Sequence, residues 1–283
     1  MRPDGYKVKN ADPMYMLIPY FLTKRYDAMN MTTLEIPVEP MKAYINARRR
    51  EGIQLTHIGL VLAAFVRTVA EFPLLNRFIG GKKVYQHKDL TVSMVVLRPG
   101  GGDVMSKLYF DPSDDVFEVQ RKIDEFVDDN RVNEDQLLDK AMKILLHIPG
   151  LMGAAIGILR FMDRHGLLPN ALVRVSPFHA SLLISNLASI RSNAIFHHVY
   201  DFGSTSIALT MGTQKEEPKR GPGGAVGFER CIPMGVVMDE RICNGLYFSQ
   251  AFSRFRSYLA DPVKLEGKPE FEVLTMKQAS ELP

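Results

Sequence analysis

Cysteine is scarce: the 283 residues include only Cys231 and Cys243. Two thiols give no disulfide framework, and no His/Cys spacing matches a zinc site, so no metal is expected. Both thiols suit a reducing compartment. The first 20 residues lack the basic-then-apolar order of a signal peptide, so the expected location is cytoplasmic. Charge of one sign is also lacking. With 35 Lys and Arg against 32 Asp and Glu the formal charge is +3, and no basic run is interleaved with aromatics, which argues against nucleic acid as a partner. A clean apolar run of about 18 to 20 residues is missing too. The most apolar stretch, Ile144 to Met162, is broken by His147, Pro149, glycines and Arg160, so it reads as a core or interface helix pair rather than a membrane span. Repeats and low-complexity tracts are absent.

What is present is an ordinary globular composition, 46% hydrophobic and 24% charged, long enough for one large or two small domains. Residues 1–30 carry Pro3, Pro13 and Pro19 and read as an extended N-terminal arm. Residues 31–37 alternate as a strand, and Met41–Arg50 reads as a helix stopped by Gly52. Thr56 is placed to cap a strongly apolar helix that Pro73 ends. A hairpin turning at Gly80-Gly81 follows, then strands at Leu90–Leu97 and Val104–Phe110 joined by a glycine-rich segment, residues 99–103. That segment lacks a following helix, so it reads as a hairpin loop and not as a phosphate cradle. An amphipathic helix is expected over 114–127, with Asp111 or Ser113 as cap. A long apolar helical block follows over about 130–170. Strands return at Ser181–Ser185, Thr205–Met211 and Phe228–Met238, with 212–227 read as an exposed, mobile loop. The tail, 263–283, reads as surface-docked or frayed.

The chain is organised around residues 235–259. An apolar strand end, Val236 to Met238, meets the polar turn Asp239-Glu240-Arg241-Ile242-Cys243-Asn244-Gly245. A helix follows with Leu246, Phe248, Phe252, Phe255 and Leu259 at helical spacing. A strand that ends in charged residues and feeds a helix presents them where backbone groups are free and a cleft can form. The same pattern also describes an ordinary strand-turn-helix with a solvated corner.

The string DERICNG with its helix resembles the C-terminal signature of the chloramphenicol acetyltransferase-like superfamily, and most of all the catalytic cores of the dihydrolipoyl acyltransferases of 2-oxo-acid dehydrogenase complexes. That family reads D-H-R-x-x-D-G or D-H-R-x-x-N-G. Asp239, Arg241, Asn244 and Gly245 match, and Glu240 stands at the histidine position. MTTLEIPVEP, LTHIGLVLAAFVRTVAEFPLLN, LTVSMVVL, FHASLLISNLASI and STSIALTMG resemble the family's other segments in the same order. The resemblance therefore implies an α/β fold, a mixed sheet flanked by helices, over about 31–262, with an enlarged helical block at 130–170. It includes no lipoyl domain and no subunit-binding segment.

The resemblance also implies a homotrimer, or a larger cage, with the active site in a channel between subunits and coenzyme A or acyl-CoA as the ligand. By position, Ser185 corresponds to the serine that stabilises the tetrahedral oxyanion and Asn244 to the polar partner near the base, with Arg241 a structural ion-pair residue and Glu240 in the place of the base. The substitution matters energetically. A thiol near 8.5 lies about 2 pKa units above a histidine but about 4 above a glutamate, which makes proton transfer roughly 3 kcal/mol harder. A carboxylate also hands its proton on poorly at neutral pH unless burial raises its affinity for it. Thiol-dependent acyl transfer is therefore expected to be lost or altered, which makes the chain a candidate pseudoenzyme.

Other residues offer alternatives. His197 and His198 precede Asp201, which would orient one of them as a base; adjacent histidines in a loop also serve as capping or interface residues. Cys243 reads as a small buried residue rather than a nucleophile, and Asp239 as a structural acceptor at the turn. Two function classes remain open: a coenzyme A-dependent acyltransferase, and a non-catalytic trimeric or cage-forming scaffold or binding protein.

Overall fold

The computed structural model describes residues 2–97, 103–132 and 150–283. The glycine-rich segment at 99–102 and the helix expected over 134–148 lie outside the described residues. The N-terminal arm is more regular than its prolines implied. Gly5–Lys7 forms β1 and Pro13–Phe21 forms α1. Pro13 occupies the first helical turn, where a missing N–H costs nothing, and the Asp12 carboxylate accepts from the Met14 N–H at 2.8 Å.

β2 (Met29–Pro37), α2 (Val38–Arg50) and α3 (His57–Glu71) follow. The Thr56 hydroxyl accepts from the Gly59 N–H at 3.0 Å and caps α3, which is buried from Gly59 through Ala70. Such a helix needs neighbours on several sides to cover its apolar surface. β3 (Arg77–Gly80) and β4 (Lys83–His87) form the expected hairpin with the turn displaced by one residue. Gly80 pairs with Lys83, so Gly81 and Lys82 make the turn, at φ +55° and +65°. Two successive left-handed residues match the strand twist in a two-residue hairpin.

β5 (Leu90–Leu97) and β6 (Asp103–Phe110) precede α4 (Val116–Val132). Asp115, and not Asp111 or Ser113, caps α4: its carboxylate accepts from the N–H groups of Phe117 and Glu118, both at 3.0 Å. Asp111 instead closes the preceding turn by accepting from the Ser113 N–H at 2.8 Å. The described part of the apolar block contains α5 (Leu151–His165) and the short α6 (Asn170–Val175). Among the described residues no helix is long and apolar enough to cross a membrane.

β7 (Leu182–Asn186), β8 (Ile207–Met211), β9 (Lys215–Arg220) and β10 (Val226–Asp239) complete the strands. The segment read as a mobile loop, 212–227, is a ribbon: β9 pairs with the outer half of β10 from Val226 to Cys231. Its charges are matched across the strands and onto the body, with Lys219 on Glu229 at 2.7 Å and Lys215 on Glu35 at 3.2 Å. Composition read as loop because the segment is made mostly of glycine, proline and charged residues with almost no large apolar side chain. α7 (Gly245–Ala260) and α8 (Met276–Ala279) end the chain.

The large sheet runs β2-β10-β8-β7-β5-β6, with β9 extending β10, and a small sheet runs β1-β4-β3. In the large sheet β5-β7-β8 are parallel and the flanking pairs antiparallel, so it is mixed. One face packs Leu182, Ile184, Ile207, Leu209 and Val236 against α2, α3, α4 and α7. Residues one step along, Leu183, Ala208 and Val237, point to the other face and meet Val199 of the loop before β8. This period-two division is what a sheet covered on both faces requires. The tail is docked. Arg67 donates to the Gly267 carbonyl at 2.6 Å, Arg77 to the Leu282 carbonyl at 2.8 Å, and Thr275 and Gln278 form a capping box on α8.

Candidate active site

β10 carries the motif turn. Its register against β2 places Asp239 opposite Met29 and Met238 opposite Asn30. Asp239 is fully buried, and both of its oxygens are held by Arg241, at 2.7 Å from Nε and 2.6 Å from Nη2. Arg25, also buried, approaches the same carboxylate at 3.4 Å. Arg241 donates further to the Leu22 carbonyl at 2.9 Å. The turn is therefore fixed by a desolvated Arg-Asp-Arg cluster that ties it to the segment after α1. Asp239 and Arg241 have the structural acceptor and ion-pair geometry expected of them.

Glu240 leaves this cluster and points the other way. It is half-buried, and its partner is a neutral amide, not an arginine: Asn30 Nδ2 donates to its carboxylate at 2.8 Å. Tyr15 of α1 lies within electrostatic range, its phenol pushed up first by burial and then by Cys243, Asp12 and Glu240. Cys243 is buried and its thiol is pushed far up, chiefly by burial, so it is an inert core residue. Asn244 is exposed and caps α7, its side-chain oxygen accepting from the Tyr247 N–H at 2.7 Å. Gly245 opens that helix with no heavy atom within 4 Å of where a Cβ would sit.

Ser185 is elsewhere in the chain. It pairs with Thr210, and Thr210 pairs with Gly235, five residues before Glu240. At about 3.3 Å per residue and about 4.8 Å per strand, Ser185 lies on the order of 17 Å along the sheet and two strands across from Glu240. One chain does not bring the two together. His197 and His198 stack at 4.8 Å, and His197 Nδ1 lies 2.8 Å from the His198 carbonyl oxygen. Asp201, expected to orient one of them, instead accepts from the Arg25 N–H at 2.7 Å and pairs with Lys24 at 3.5 Å. Asp201 is thus engaged with the buried arginine's own backbone and with Lys24.

Sequence reasoning missed Arg25, Asn30 and a second buried cluster. In that cluster Asp163 of α5 accepts from Arg2 at 2.5 Å and from the Gly203 N–H at 2.9 Å, and lies 3.2 Å from His179 Nε2. His179 Nδ1 lies 2.8 Å from the Ser176 hydroxyl. The Asp163 carboxyl is held well below the usual carboxylate range because His179 and Arg2 outweigh the cost of its burial. Asn30 had a usable signal, since it sits beside the motif once MTTLEIP pairs with the strand before DERICNG. Arg25 and Arg2 had none, because the carboxylates that place them in these clusters, Asp239 and Asp163, lie more than 150 residues away. Among the described residues no group of three or more His, Cys, Asp or Glu is placed to hold a metal.

No family model matches the sequence. A 70-residue stretch is 33% identical to the lipoamide acyltransferase component of the branched-chain alpha-keto acid dehydrogenase complex of Bacillus subtilis (strain 168), spanning 23% of this chain and 16% of that protein. Among solved structures, the cubic core of the pyruvate dehydrogenase multienzyme complex superposes with a TM-score of 0.58 at 16% identity, over 91% of this chain and 93% of that one. A dihydrolipoamide acetyltransferase of Azotobacter vinelandii, investigated for the catalytic roles of a serine, a histidine and an asparagine, gives 0.58 at 16% identity over 91% and 93%. A chloramphenicol acetyltransferase gives 0.54 at 12%, over 90% and 99%. The chain has the chloramphenicol acetyltransferase-like fold. The catalytic cores of dihydrolipoamide acyltransferases share that fold.

Proposed function

We propose that this protein binds coenzyme A thioesters in the manner of the acyltransferase cores, with acyl transfer to a thiol lost or altered because Glu240 replaces the histidine base. The observation that carries this reading is the turn itself. Asp239 and Arg241 hold the motif backbone rigidly, Asn244 caps the following helix, and Glu240 lies between them with Asn30 as its partner. In the Azotobacter vinelandii enzyme the investigated histidine and asparagine are four residues apart, the spacing of Glu240 and Asn244. The scaffold is retained while the proton acceptor is changed.

Thiol attack on an acyl-CoA carbonyl needs a base on the thiol proton and a donor on the developing oxyanion. Ser185 is the donor in this proposal. Its separation from Glu240 within one chain supports a site shared between two copies, as in the family's trimers. The test is release of coenzyme A from acetyl-CoA in the presence of dihydrolipoamide, followed with a thiol reagent. Slow turnover that rises at least tenfold in Glu240→His supports the reading. Rapid turnover by the unaltered protein, abolished by Glu240→Gln, overturns it.

A second reading, a non-catalytic trimeric or cage-forming scaffold, is favoured by one observation. Met14, Leu17 and Phe21 of α1 and Ile158 and Phe161 of α5 are exposed apolar side chains. Light scattering that shows an assembly, together with no coenzyme A binding, selects this reading over the first.

A further inference from the structure

A cavity lies away from Ser185, Glu240 and Asn244, none of which lines it. It occupies about 780 Å³ between the segment after α1, the β3-β4 turn and α5, a volume suited to a small organic ligand. Its lining is strongly cationic. Seven arginine and lysine side chains face it against two carboxylates, Asp163 and Asp201. Four of the seven are engaged: Arg2 with Asp4 and Asp163, Lys24 with Asp201, and Arg25 and Arg241 with Asp239. Every one of those carboxylates is thereby used. Lys82, Arg160 and Arg164 remain, with no carboxylate partner among the described residues.

Two further features point into the same space. Arg25 is 3% exposed, with its Nε 3.4 Å from the Asp239 carboxylate and its other nitrogens on the carbonyls of Tyr200, Ile79 and Gly203. It shares that one carboxylate with Arg241, so the two guanidinium groups leave net positive charge at the cavity wall, which favours an anion in front of it. Lys82 is held at φ +65°, a conformation that disfavours a side chain, at the turn that overhangs the cavity, and the face of Tyr20 lies 5.1 Å from its ammonium. Gly81, its neighbour, lies so close to α5 that a Cβ would come within 2.6 Å of the Arg164 carbonyl oxygen. The turn and the C-terminal end of α5 therefore form one rigid rim that carries Lys82, Arg160 and Arg164.

We propose that this cavity is a binding site for a phosphorylated small molecule, separate from the acyl-transfer centre, with Lys82, Arg160 and Arg164 contacting the phosphate oxygens and Arg25 behind them. Three cations fixed around one opening stabilise a multiply charged anion far better than a single carboxylate. Phe161 and Tyr26 on the rim give an apolar or planar remainder of the ligand a surface to lie on.

The experiment is titration calorimetry of the full chain with sodium pyrophosphate at low ionic strength. A paired variant, Lys82→Glu with Arg160→Glu, serves as control. Both side chains are exposed, so thermal unfolding of that variant should match the unaltered protein. One-site binding that weakens at least tenfold in the variant and in high salt, and is unchanged in Glu240→Gln, supports the site. Flotation with phosphatidic acid vesicles but not phosphatidylcholine vesicles, lost in the same variant, assigns the phosphate to a lipid headgroup; pyrophosphate binding without flotation assigns it to a soluble ligand. The proposal is overturned by absence of pyrophosphate binding, by equal affinity in the paired variant, or by displacement of pyrophosphate by coenzyme A.

Discussion

Ser185 and Glu240 sit on the same sheet but near opposite ends of it, Ser185 opposite Thr210 and Glu240 beyond the strand residue that faces Ile207. In the proposed shared site, these two residues come from different copies of the chain. The chain carrying both Glu240→His and Ser185→Ala should be inactive alone. Co-expressed with unaltered protein it should regain activity, because mixed assemblies place a histidine from one copy against Ser185 of another. Mixed assemblies that stay as inactive as either parent would remove the shared site.

Asp239 is the anion on which the motif turn closes. Replacing it with Asn leaves Arg25 and Arg241 buried without a charge partner, and breaking a buried pair in this way costs about 3 to 5 kcal/mol. Asp239→Asn should lower the urea midpoint accordingly. Asn30→Ala, which removes only a half-exposed hydrogen bond to Glu240, should change it by about 1 kcal/mol at most. Equal effects of the two would contradict the structural role assigned to Asp239.

Stability should depend on pH through His87. Burial pushes its imidazole down to about 3, with Asp4 opposing and Lys107 and Arg2 assisting, and its Nε2 lies 3.1 Å from the Ser204 carbonyl oxygen. In the unfolded chain the ring titrates near 6.5. Between those values the unfolded state binds one more proton, so this contribution to stability is present above about 6.5 and lost as pH falls toward 3. The loss is about 1.4 kcal/mol per pH unit, or about 2 kcal/mol between pH 7 and 5. Urea unfolding at the two pH values should show that difference, and His87→Gln should reduce it. The same slope in both proteins would sink the assignment.

The sequence exposed the scaffold because the scaffold is local. Thr56 and Pro73 bracket α3, and alternation marked β5 to within a residue, since caps and period-two patterns act over a few positions. The motif turn was legible for the same reason: Asp239 and Arg241 are two residues apart and satisfy each other. The β9-β10 ribbon was missed because cross-strand charge matching, Lys219 with Glu229, leaves no hydrophobic alternation to read. The cationic cavity was illegible because its walls come from stretches far apart in the chain, among them the segment after α1, the β3-β4 turn, α5 and the loop at 201–203, which only folding brings together.

The observed role of Asn244 as a helix cap can be separated from its proposed role in catalysis. As the cap of α7 it satisfies the Tyr247 N–H, and loss of such a cap to Ala costs about 1 kcal/mol. Asp and Ser cap a helix about as well as Asn, so Asn244→Asp and Asn244→Ser should unfold at nearly the same denaturant concentration as the unaltered protein, and Asn244→Ala below it. In the Glu240→His background, the Ser variant lacks the amide that would hydrogen-bond near the base while keeping the helix start. Acyl transfer should then fall in Asn244→Ser without a matching fall in stability. If activity tracks stability across all three variants, Asn244 is a cap alone, and its place in the catalytic set is lost.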